Sequence, residues 1–274
     1  DDANISSYPC FGTPTDMGES IIDTGFDVVL SATNHTWDKG KTGWKDTLNY
    51  WRQHPEITLL GIHDSAEDFN SIDIIEENGI SFAMFNYTYG LNGFVLPEDK
   101  HYAVDLLDYK EKFIEDIKCI EDDVDFTVCF LHIGNEYVYE PTEYQVSYIS
   151  DIVDAGADVV VCAHPHVVEP YRYITTELGN SAHVFYSCGN FISNQNEVPR
   201  VLGGMAEINF TKSSQDGIEL DKDISSTNFI PIVTHYNSSE HTVYLLEDYT
   251  DELAKTHSLA SKGLSTSKLW ELWY

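Results

Sequence analysis

Four places in this sequence gather side chains able to do chemistry: Thr33-Asn34-His35 with Asp38, His132 with Glu136, His164-Pro165-His166, and Gly189-Asn190. Each stands directly after a short apolar run rich in β-branched or aromatic residues, namely FDVVLSA, FTVCFL, VVVCA and VFYSC. In open α/β sheets, ligands bind outside the carboxyl ends of the strands, so the four clusters are expected to converge in one crevice. A histidine and carboxamide set delivered by several neighbouring strands is the inventory of a borderline divalent cation. Any one of these histidines alone reads as a hydrogen-bonded turn residue.

His164-Pro165-His166 is the sharpest element. In an extended segment, residues two apart point the same way, so both imidazoles can face the crevice while Pro165 stiffens the backbone between them. The alternative is a pair of exposed loop histidines. Asn34 offers a neutral oxygen ligand or acts as a turn former. The adjacent His35, if it is not a ligand, can protonate a leaving-group oxygen near neutral pH. Asp38 and Glu136 either orient these histidines or are solvated. Asn190 is a further candidate for touching the ligands or the substrate.

Lysine and arginine total 15 against 46 aspartates and glutamates, a formal net charge of −31, which repels polyanions and excludes nucleic acid as a partner. An anionic substrate, small molecule or polymer, is admissible only where a bound divalent metal reverses the local sign. No GxSxG, GxxxxGK[ST] or GxGxxG pattern occurs, so serine-hydrolase, P-loop and dinucleotide chemistries have no foothold. Five cysteines without CxxC spacing imply no disulfide framework and no cysteine-based zinc site. No apolar run approaches the length needed to span a bilayer. The opening DDANISSYPC lacks an initiator methionine and a signal pattern, and reads as an interior start.

The elements that must position these residues alternate between strand and helix patterns, which predicts an α/β layered domain. Phe26–Ala32 reads as a buried strand, Trp44, Leu48 and Trp51 recur at helical spacing, and residues 57–62 resume as strand. Asn78-Gly79 predicts a two-residue hairpin turn. Asp108 and Glu111 have capping-box-like spacing ahead of a helix to about residue 120, and Pro141 and Gly156 bracket another. From residue 203 onward, GGMAEINF, NFIPIVTHY and HTVYLLED predict antiparallel strands, with the polar stretch KSSQDGIELDKDISS as a separator between the first two. Residues 1–250 are expected to form a single domain and 251–274 a short helix and tail.

ATNHTWDKG, HIGNEY, AHPHVVEP and YSCGNFISNQ, in this order and spacing, resemble the bacterial poly-γ-glutamate capsule-synthesis family, the CapA type, as do GIHDS and NYTYG. That family is similar to the calcineurin-like metallophosphatases. The resemblance implies a four-layer αββα sandwich with two divalent metals, Mn, Fe or Zn, at the strand ends. It implies that Asn34, His132 and His164 hold one metal, that His166 reaches the second, and that His35 donates a proton. Two metals would clamp a phosphate or related oxyanion and activate water for in-line attack.

Such proteins open with a strand ending in Gly-Asp and a later Asn-x-Glu, and neither precedes Tyr8, so the sandwich is expected to lack its N-terminal strand or strands. Without those carboxylates this chain should hold metal weakly. The resemblance further implies work at the extracellular face of the bacterial membrane, with an anchor in an absent N-terminal segment. The two readings it leaves are a metal-dependent hydrolase of a phosphate ester or envelope component, and a non-catalytic accessory factor of membrane capsule-synthesis proteins.

Overall fold

The computed structural model describes residues 4–215 and 218–274, with side chains described for 4–213 and 222–274. The chain forms two compact units: one runs up to Glu76 and includes Ser81–His132, and the other comprises Glu77–Ile80 and Ile133–Tyr274.

In the first unit, α1 (Thr15–Thr24) precedes β1 (Val28–Leu30), α2 (Gly40–Trp51), β2 (Thr58–Leu60) and the single turn α3 (Ala66–Phe69). β1 and β2 pair in parallel, Val28 opposite Thr58. Helix α2 forms where the sequence places Trp44, Leu48 and Trp51 on one stripe, and all three are buried. The expected seven-residue buried strand is shorter: only Val28–Leu30 pairs, and Phe26 and Leu30 are exposed. Among the described residues β1 has a ladder on one side only, so the flanking residues have no second partner strand there to hold them in register.

Strand β3 (Asp73–Glu77) leads through Asn78 and Gly79, at φ 53° and 79°, into β4 (Ile80–Thr88). Those are the left-handed values that an Asn-Gly turn supplies at little cost. β4 pairs in parallel with β5 (Phe126–His132), Thr88 opposite His132. Between them lies α4 (Lys110–Ile120), which buries Phe113 and Ile117. Its expected cap is absent: Asp108 sits in a 3₁₀ turn, Leu107–Tyr109, and no side chain caps the helix. That turn winds into the helix without the extended residue that an N-cap requires.

In the second unit, α5 (Glu143–Val153) opens with a capping box: Thr142 accepts from the Gln145 N–H, and the Gln145 side chain accepts from the Thr142 N–H. β6 (Val159–Ala163) pairs in parallel with β8 (Ser181–Cys188), and β7 (Val168–Thr175) runs antiparallel to β8. Strands β9 (Leu202–Gln215), β10 (Ile218–Tyr236) and β11 (His241–Leu245) form the antiparallel sheet predicted from residue 203 onward.

The polar stretch expected to separate β9 from β10 is itself strand on both sides, Lys212 pairing with Lys222 and Thr211 with Asp223. Thr211, Lys212 and Ser213 are exposed, and a ribbon solvated on both faces shows no alternation of apolar and polar residues. The tip of that stretch, residues 216–217, lies outside the described residues. Helices α6 (Asp251–Thr256) and α7 (Thr266–Trp273) close the chain, with Ala254 and Leu269 buried in one core with Val201, Leu202 and Val233. Parallel strands alternating with helices bear out the α/β class.

Candidate active site

Loop 31–38 is held in shape by its own side chains and by one from β4. Asn86, buried in β4, accepts the Ala32 N–H through Oδ1 at 2.7 Å, and its Nδ2 donates to the Phe130 carbonyl at 3.3 Å. Gly61 makes room for this clamp: at φ 87°, a Cβ there would meet Asn86 Oδ1 at 2.5 Å and Ala32 N at 2.7 Å. Thr36 Oγ1 donates to the Thr33 carbonyl and accepts the Thr33 N–H, each at 2.8 Å. The loop therefore leaves β1 as a closed turn with Asn34 buried.

Within this turn, His35 Nδ1 lies 2.7 Å from Asp38 Oδ2, with side-chain exposures of 30% for the histidine and 2% for the aspartate. The same carboxylate oxygen accepts the Phe11 N–H at 2.8 Å, and the Phe11 ring meets the imidazole edge-on at 4.6 Å. A carboxylate on Nδ1 places that proton and leaves Nε2 as the working nitrogen. His35 also lines a cavity of about 460 Å³ with Phe11, Lys39, Trp44 and Tyr50. That volume is sufficient for a small organic ligand.

Asn34 faces a different neighbour. Its Oδ1 lies 3.0 Å from His132 Nε2 at the end of β5, and its Nδ2 donates to Asn92 Oδ1 at 3.0 Å. Two neutral donors about 3 Å apart are spaced as adjacent ligands of one cation with bonds near 2.1 Å. The separation equally suits a hydrogen bond from the imidazole. The donor chemistry fits a cation, for which this pair would supply two ligands. Among the described residues, no three His, Cys, Asp or Glu side chains are grouped to hold a metal ion.

In the second unit, the His164-Pro165-His166 segment is not extended. His164 and His166 take φ 109° and 59°, so the backbone bends there, and the ring centroids still lie 6.2 Å apart. The positive φ of the two histidines makes this bend, which alternation alone does not anticipate. His166 Nδ1 lies 2.8 Å from Asn190 Oδ1, and Asn190 Nδ2 donates to the His166 carbonyl at 3.2 Å. The amide oxygen accepts, so Nδ1 carries the proton and Nε2 is left with a lone pair. Glu136 is exposed and takes the solvated alternative.

A buried polar pair lies beside this bend. Gln145 Nε2 donates to Glu169 Oε2 at 3.0 Å, and Glu169 Oε1 has no hydrogen-bond partner among the described residues. Burial pushes the Glu169 carboxyl up to about 7, Gln145 opposing and Glu140 adding to the shift. Gly134, at φ 117°, packs where a Cβ would strike both Gln145 Nε2 and Pro165 Cγ.

Of the five non-glycine residues with positive φ among the described residues, Asn78 belongs to the hairpin; the others are Asn92, Tyr137, His164 and His166. Strain of this kind collects at binding and catalytic sites. Asn92 and Tyr137 escape the sequence reading, although the Asn92-Gly93 dipeptide is a turn signal that could have pointed to the first.

Residues 1–195 match the family described as "Bacterial capsule synthesis protein PGA_cap". The chain belongs to that family. Among curated members, it is 33% identical over 174 residues to the PGA biosynthesis protein CapA of Bacillus subtilis (strain 168), covering 63% of this chain and 44% of that one. The capsule biosynthesis protein CapA of Bacillus anthracis is 26% identical over 182 residues, 65% of this chain and 42% of its own. The chain thus spans less than half the length of either relative.

Among solved structures, the Haemophilus influenzae NAD nucleotidase NadN overlays with TM-score 0.47 at 14% identity, covering 93% of this chain and 45% of that one. A putative 5′-nucleotidase from Staphylococcus aureus, in complex with α-ketoglutarate, gives TM-score 0.47 at 15% identity, covering 93% and 44%.

Proposed function

We propose that this member of the capsule synthesis family is a metal-dependent hydrolase of a phosphate ester or a cell-envelope component. On this reading Asn34, His132 and His164 hold one divalent cation, His166 holds a second, and His35 is the proton donor. The observation that carries it is the side-by-side placement of two different devices in one loop. Asn34 pairs with His132 as neutral donors, and His35 pairs with Asp38 as an acid–base dyad. A scaffold has no use for both.

Divalent cations, when bound, would polarise a phosphoryl oxygen and lower the pKa of attacking water. The protein's own part is then limited and specific. Asp38, itself held by the Phe11 N–H, accepts the His35 Nδ1 proton, so Nε2 is the nitrogen that first takes up a proton and then hands it to the leaving oxygen. Asn92 holds the Asn34 amide nitrogen, which directs Oδ1 away from it toward His132. Asn190 holds His166 Nδ1 and so sets which nitrogen is a donor to a cation.

The proposal assigns the anionic substrate to these cations, because a chain of net charge −31 offers few other attractions for an anion. Its place of work, on this reading, is the outer face of the bacterial cytoplasmic membrane, alongside membrane capsule-synthesis proteins. No helix among the described residues is long and apolar enough to cross a membrane.

The test is metal content and turnover of a generic phosphomonoester by the wild-type protein, His164→Ala and His35→Ala. Loss of metal in the first and loss of rate with metal retained in the second supports the reading. Tight metal binding with no turnover in the wild type overturns hydrolysis and favours an accessory role.

A further inference from the structure

The sequence contains three arginines, Arg52, Arg172 and Arg200. With 46 acidic side chains available, each would be expected to find a carboxylate, and two do. Arg52 pairs with Asp64 at 2.6 Å and Arg172 with Glu140 at 3.2 Å. Arg200 forms no ion pair among the described residues; its guanidinium carbon sits 3.5 Å from the centre of the Tyr137 ring instead. Tyr137 in turn stacks on His166 at 6.0 Å between centroids and 26° between planes.

This stack is built and not accidental. The Asn190 side chain ties its two ends together, donating to the Arg200 carbonyl at 2.8 Å and to the His166 carbonyl at 3.2 Å while engaging His166 Nδ1. Tyr137 adopts φ 65°, a costly value for an aromatic residue, and its N–H donates to the Pro165 carbonyl at 2.7 Å. A guanidinium lying flat on a ring keeps its N–H donors in its own plane, directed outward from the stack. Among the described residues, only Nη1 is engaged by a side chain, in a long 3.4 Å contact with Gln195 Oε1. Arg200 also lies beyond the residues matched by the family, 1–195.

We propose that Arg200 is the residue that recognises the substrate's anionic group, taking one oxyanion edge-on through its guanidinium. An unpaired arginine costs this acidic protein an available ion pair, and a fork of parallel N–H donors is the shape that phosphoryl and carboxylate groups share. Its role is binding and orientation, not proton transfer. The inference deepens the hydrolase reading and depends on it only for the kinetic arm of the test.

Three arginines give three side-chain Nε–H signals in an ¹⁵N-labelled sample, and Arg200→Lys identifies the third by its disappearance. Titration of the wild-type protein with inorganic phosphate, and separately with glutarate, is expected to move the Arg200 signal saturably while those of Arg52 and Arg172 stay within a tenth of that shift. The anion giving the larger shift names the class, phosphate ester or carboxylate polymer. An Arg200 signal that moves with neither, or three signals that move alike, overturns the proposal. Should Arg200→Lys fail to fold, Arg52→Lys and Arg172→Lys assign the spectrum by difference.

In the kinetic arm, Arg200→Lys is expected to raise KM for a phosphomonoester about tenfold or more, with kcat changed less. Equal KM in the two proteins also overturns the proposal. Absence of turnover with a responsive Arg200 signal sinks the hydrolase reading and leaves the anion site standing.

Discussion

Asn86 Oδ1 accepts the backbone N–H of Ala32 at 2.7 Å, across 54 residues of sequence. One buried amide in β4 thus fixes the point from which the Asn34-His35 turn departs. Asn86→Leu would leave the Ala32 N–H and the Phe130 carbonyl without that partner in the interior. The expected loss is about 1–3 kcal/mol of unfolding free energy, read from the denaturant midpoint at unchanged slope. A midpoint equal to wild type would mean that the loop holds itself.

His35 and Asp38 are expected to act as one device. If His35→Ala lowers kcat on a phosphomonoester by 10²–10⁴, Asp38→Asn should lower it substantially too, and the double variant should be little worse than His35→Ala alone. Steady-state rates of the three proteins at equal metal loading check this. Losses that multiply in the double variant would show that Asp38 acts elsewhere.

Asn92 allows backbone strain and contact to be separated. Asn92→Gly accepts φ 50° freely yet removes the bond to Asn34 Nδ2, so stability should change by less than about 1 kcal/mol while metal affinity falls roughly 10–100-fold. Calorimetric titration with Mn²⁺ or Zn²⁺ alongside thermal unfolding tells the two apart. Unchanged affinity would detach Asn92 from the site.

Glu169 makes a pH prediction. Its carboxyl titrates near 7 when folded, against an ordinary value of 4.5, so the folded state holds the extra proton between those limits. Stability from this group therefore declines as pH rises from about 4.5 to about 7, by an amount on the order of 3 kcal/mol. Glu169→Gln imitates the protonated form and should gain stability over wild type at pH 8 and little at pH 4.5. A gain independent of pH, measured by chemical unfolding at both values, would show that the carboxyl is not the cause.

Much of the fold was legible because it depends on spacing. Trp44, Leu48 and Trp51 announce α2 by their period, and Asn78-Gly79 announces its turn by residue type. The strands that carry His132 and His164 announce themselves as apolar runs. The site was legible only as a set of residue types.

That His166 is held by Asn190, or that Arg200 meets no carboxylate among the described residues, depends on which side chains the fold brings near, and no local pattern encodes it. The bend at His164-Pro165-His166 was hidden because histidine carries no preference for the backbone it adopts there. β9 and β10 were hidden in part because an exposed ribbon of Thr, Lys and Ser looks like a linker.

The left-handed backbone at Asn92, Tyr137, His164 and His166 has a practical consequence. A library screened for heat resistance alone would enrich glycine at these positions, since glycine relieves the torsional cost wherever it is exchanged in. Hardier variants picked that way should be the ones least able to bind a ligand, and a map of heat tolerance against binding would trace the site's outline before any substrate is known.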